Sequence, residues 1–80
     1  MKDQELLELE ELIDIFKKRR EEVNQCLGDL ESAYDRMQED SILKAINVVK
    51  KQYGLLDLTI KHLSRYYDCL NDFRDNINKD

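Results

Sequence analysis

Apolar residues recur along the first half of the chain at alternating intervals of three and four: Leu6, Leu9, Ile13, Phe16, Val23, Leu27, Leu30, Tyr34 and Met37, with Arg20 as the one polar member of the series. This is the seam of an amphipathic helix that packs along one face, and it predicts a first helix over about residues 4–38. The acids Asp3, Glu5, Glu8, Glu10 and Glu11 crowd its start, where they oppose the positive end of the helix dipole. The pattern then slips. Position 41, next in the series, is Ser41, and the apolar residue arrives at Ile42. A tight reversal over about 38–41 fits this slip, with Asp40 or Ser41 as the N-cap of a second helix.

That second helix is predicted over about 42–77, carrying Ile42, Ile46, Val49, Tyr53, Leu56, Ile60, Leu63, Tyr67, Leu70 and Ile77 in the same alternation. Gly54 lies inside this run without disturbing its phase. A break there would give a three-helix bundle, and a chain without the reversal would be one long helix. The expected fold is therefore all-α, an antiparallel two-helix hairpin spanning residues 1–80 as a single domain.

The second helix carries more apolar surface than one neighbour can cover. Shifted by one residue from the main seam run Ala45, Val48, Gln52, Leu55, Thr59, His62, Tyr66, Cys69 and Phe73. A one-residue shift turns a side chain by about 100°, so the two series are adjacent stripes and the helix seeks neighbours on two sides. The first helix supplies one of them. Its own flank is weaker, with Leu12, Ile15, Cys26 and Ala33 scattered among charges. Val48, Leu55, Thr59, His62, Tyr66, Cys69 and Phe73 are thus the expected partner-binding residues, and another chain is expected to complete a helical bundle.

Arg20 is the exception within the first seam. In a hairpin it lies level with about residue 59, which makes Asp57 the nearest acid in its layer. A charge at such a position either fixes register through a partner or extends its head past the seam edge into water.

Composition narrows the function classes. Charged residues make up 39% of the 80 positions and apolar ones 41%, with two glycines and no proline, as in long periodic helices. A formal net charge of −5 argues against nucleic acid or an anionic membrane as partner, since both require clustered cations. The run Lys17-Lys18-Arg19-Arg20 is followed at once by Glu21-Glu22 and reads as a solvated face. Apolar stretches are too short to span a bilayer and the acidic N-terminus is unlike a signal peptide, so a cytoplasmic location is expected.

The densest reactive chemistry lies in KHLSRYYDCL, residues 61–70, which holds the single histidine, one of two cysteines and two of four tyrosines. A metal site on a helix needs a second ligand three or four residues from His62, and those positions are Arg65 and Tyr66. Cys69 stands two turns away, roughly 10 Å, too far to share an ion with His62 or be activated by it. A phosphotransfer histidine lacks its following lysine and glycine here. No catalytic residue, cofactor or metal is expected, and both cysteines should stay free. The hairpin separates Cys26 from Cys69 by roughly 24 Å along its axis.

Two family resemblances bear on function. ELIDIFKKRREEV, residues 11–23, resembles the first helix of the all-helical chorismate mutases, which would direct Arg19 and Arg20 toward a dianionic substrate. The likeness ends there: Glu31 stands where those enzymes carry a lysine, and their Asp-x-x-Arg-Glu motif is absent. In size, acidity and hairpin layout, nearly the whole chain resembles the small co-chaperones of type III secretion needle subunits. That resemblance implies a non-enzymatic chaperone or adaptor that pairs with a helical partner, and it transfers no individual residues. The alternative is a self-associating homodimeric bundle with an assembly, regulatory or phage-type inhibitory role.

Overall fold

A computed structural model describes residues 3–78. These residues form two helices, α1 (Gln4–Met37) and α2 (Asp40–Asn78), packed against each other as an antiparallel hairpin. The Cα trace measures 64 × 16 × 12 Å. Its radius of gyration is 18.3 Å, against about 12 Å for a compact chain of this length. The molecule is a rod two helices wide.

The reversal takes only Gln38 and Glu39. Gln38 adopts the left-handed conformation (φ 52°, ψ 40°), and its N–H donates to the Tyr34 carbonyl at 2.7 Å, closing α1. The Glu39 carbonyl then accepts from the N–H groups of Ile42 (3.0 Å) and Leu43 (3.2 Å). Asp40 and Ser41 therefore lie inside the first turn of α2 rather than capping it from outside, and α2 begins two residues earlier than the apolar pattern indicates. One left-handed residue suffices to reverse the chain, leaving no loop for them to occupy.

At the other end, Asp3 is the N-cap of α1. Its extended backbone (φ −64°, ψ 135°) directs Oδ1 to accept from the Glu5 N–H at 2.9 Å, satisfying one of the orphan amides of the first turn. Gly54 sits within α2, and a Cβ built there or at Gly28 meets no atom within 4 Å. Neither glycine serves a turn or a close approach. Gly54→Ala and Gly28→Ala are each expected to raise stability by about 1 kcal/mol, additively, in urea unfolding.

The two main seams face each other, but they bury little completely. Leu6, Leu9 and Ile13 of α1 and Ile46 and Ile60 of α2 are the buried apolar residues, and among the described residues no polar side chain is buried with them. The remaining interior seam positions are half-buried, while Met37 and Ile77 at the seam ends are exposed.

Candidate protein-interaction face

Three polar contacts between the helices share one register. Arg20 Nη1 donates to Asp57 Oδ1 at 2.7 Å, the Tyr67 hydroxyl donates to Glu10 Oε1 at 2.6 Å, and Arg74 Nε lies 3.1 Å from Asp3 Oδ2. In each pair the residue numbers add to 77, as a constant antiparallel register requires. Arg20 thus meets the acid that its layer places beside it. Each side chain is about one-third exposed (30% and 33%), so the pair sits at the seam edge rather than in a dry interior.

Asp57 holds two cations at once, because Lys61, one turn along α2, lies 3.2 Å from its Oδ2. The hydrogen bond from Lys61, and then that from Arg20, hold the Asp57 carboxyl below the usual aspartate range. A carboxyl lowered in the folded state adds stability that is complete above its unfolded pKa of about 3.9 and drains as pH falls through the lower folded value. The stability advantage of wild type over Asp57→Asn is therefore expected to be constant from pH 7 to about 5 and to shrink progressively below about pH 4, read from urea midpoints.

Arg74 occupies the α2 seam position between Leu70 and Ile77, which an apolar pattern passes over. Its Nη2 donates to Glu5 Oε1 at 3.3 Å, and its buried Nε faces Asp3 without hydrogen-bond alignment. Asp3 consequently does two jobs, capping α1 and tying down the far end of α2. The basic run of α1 is likewise divided among partners. Arg20 goes to Asp57, and the Arg19 guanidinium stands 5.8 Å over the Phe16 ring.

The second stripe of α2 faces away from this scaffold. Val48, Leu55, Tyr66 and Phe73 are 55%, 65%, 53% and 58% exposed, and His62 and Cys69 are exposed beside them. Thr59 is half-buried, and its hydroxyl donates to the Leu55 carbonyl at 2.8 Å, so it is engaged with its own helix. Beside the stripe, a shallow groove of about 480 Å³ runs between the helices, lined by Val23, Leu55, Leu56 and Thr59 with Arg19 and Glu22 at its rim. A second groove of about 330 Å³, which includes Glu10, Asp14, Lys17 and Asp68 in its lining, is polar and highly charged. The apolar groove is the one suited to a helix face.

Leu58, Leu12 and Ile15 are further exposed apolar residues. Leu58 belongs to neither α2 series, so a search for seams passes over it. Its signal is its place one residue before Thr59, on the outer margin of the stripe.

Among the described residues, no three His, Cys, Asp or Glu side chains converge as a metal site would require, and no helix is long and apolar enough to cross a membrane. Cys26 and Cys69 are free thiols, both exposed. Comparison of the chain with protein-family models, curated proteins and solved structures finds no match.

Proposed function

We propose that this chain is a non-enzymatic protein–protein interaction module that presents the second stripe of α2 to a helical protein partner. One observation supports the reading above the others: Val48, Leu55, Tyr66 and Phe73 are each more than half exposed at helical spacing, against five buried apolar residues among the described ones. Covering the exposed half of such a side chain is worth about 1 kcal/mol, so these four residues together supply about 4 kcal/mol toward association. The charged margins then set orientation and exclude wrong partners. The type III co-chaperone layout gives this reading its specific form, a small cytoplasmic chaperone or adaptor that shields an apolar helix of a client.

The test is a paired substitution, Leu55→Asp with Phe73→Asp. Association measured by light scattering is expected to be lost while the far-ultraviolet helix signal is retained, because both side chains are more than half exposed in the single hairpin. Unfolding of the variant as a monomer would instead show that the stripe is needed within the chain.

A further inference from the structure

The stripe of α2 is symmetric about its own midpoint, which lies between Thr59 and His62. Reversed upon itself it sets Val48 opposite Phe73, Gln52 opposite Cys69, Leu55 opposite Tyr66, and Thr59 opposite His62, so that each end carries two apolar layers separated by the mixed Gln52–Cys69 layer, around a polar centre. The midpoint also falls near the centre of α2 (Asp40–Asn78), so two rods related by this reversal overlap along their full length.

Charge distinguishes reversed from parallel self-packing. On the margin of the stripe, Lys44 and Lys51 lie in the first third of α2 and Asp72 in the last. Parallel copies would set like charge on like. Antiparallel copies set the basic end of each margin beside the acidic end of the other and oppose the helix dipoles. Lys51 and Asp72 lie on the same margin of the stripe, at a spacing of three helical heptads, and reversal brings Lys51 beside Asp72 of the second copy, twice by symmetry.

The surface area accommodates such a neighbour. A compact monomer of 9.6 kDa exposes about 5,100 Å², whereas this chain exposes 6402 Å². The excess, roughly 1,300 Å², is larger than the approximately 800 Å² each partner contributes to a standard interface.

We propose that in the isolated protein the stripe is covered by the same stripe of a second copy, packed antiparallel about a two-fold axis between Thr59 and His62. This rests on the stripe being an interface and names its occupant.

The full chain provides the test. Light scattering should give twice the chain mass at micromolar concentration. Lys51→Asp or Asp72→Lys alone should weaken the dimer roughly tenfold, since each reversal places two like-charge contacts in one interface, and the two together should restore it. In a Cys26→Ser/Cys69→Ser background, His62→Cys should join the copies through a short bis-maleimide, because its counterpart lies only about three residues away along the axis, roughly 4.5 Å. Phe73→Cys should not, its counterpart being roughly 37 Å away. Crosslinking at both positions, or at neither, overturns the antiparallel arrangement. A monomeric wild-type chain overturns the second copy but leaves the stripe to its own test, whereas a dimer that survives Leu55→Asp/Phe73→Asp places the interface elsewhere and overturns both.

Discussion

Ile60→Ala is expected to lower the stability of the hairpin by about 2 to 4 kcal/mol, because it removes three carbons from a buried position and leaves a cavity that two stiff helices close only in part. Ile60 is 5% exposed and is one of five buried apolar residues among those described. For a domain of this size the net stability is itself only a few kcal/mol, so the loss brings the variant close to its unfolding midpoint at room temperature. Leu55→Ala removes the same number of carbons five positions earlier on the same helix. With Leu55 65% exposed, the substitution is expected to change the stability of a single hairpin by no more than about 0.5 kcal/mol. Urea unfolding at low protein concentration measures both, and light scattering at high concentration should reverse their order, since Leu55 then contributes to association. Equal costs at low concentration would mean that both stripes of α2 are packed within one chain.

The contrast between Ile60 and Leu55 was legible in the sequence because a helix has a fixed period. Once the reversal is placed near residue 39, the seam of α1 selects one stripe of α2 and leaves the other outside. The same geometry made Arg20 and Asp57 readable as neighbours, since an antiparallel register relates every layer to the turn. Arg74 escaped this logic. It continues the α2 series between Leu70 and Ile77, but a search for apolar periodicity skips a charged residue, and its partners Asp3 and Glu5 lie 69 or more residues away in sequence. Asp3 was visible as one of a group of acids opposing the helix dipole. Its specific role, accepting from the Glu5 amide, depends on a backbone angle that composition does not reveal.

The turn shows the same limit from the other side. Asp40 and Ser41 have strong capping chemistry, and the apolar pattern restarts only at Ile42. Side-chain chemistry alone therefore places the helix start there. The backbone achieves the reversal through left-handed Gln38, a residue without marked preference for that conformation, and the helix absorbs both capping candidates. Propensity ranks capping residues, but the number of residues in a turn is set by how closely two packed helices must approach, and that distance is a property of the pair. For the exposed stripe the same reasoning explains why its existence was readable and its occupant was not. Periodicity identifies a surface without its counterpart, and only the distribution of charge along α2 adds a direction.

Arg20→Leu is expected to stabilise the hairpin by about 1 to 2 kcal/mol, because it completes an apolar seam and removes the cost of holding a guanidinium partly out of water. The decisive measurement is what the substitution does to Asp57. In wild type that carboxylate accepts from Arg20 at 2.7 Å and also lies 3.2 Å from Lys61. Asp57→Asn weakens both contacts, so it should destabilise wild type more than it destabilises the Arg20→Leu background, where only the Lys61 contact remains. A double-mutant cycle isolates the difference. If the pair also fixes register, the Arg20→Leu variant should gain stability and lose oligomeric uniqueness together, appearing as mixed masses in light scattering where wild type gives one. The reason is that an apolar α1 seam tolerates a shift of one helical turn more readily, leaving Tyr67–Glu10 and the Arg74 contacts near the open end to oppose it, whereas the Arg20–Asp57 pair penalises the shift in mid-rod as well. A cycle with no coupling, together with an unchanged mass, would leave Arg20 as an edge residue whose contact with Asp57 is a consequence of the register and does not set it.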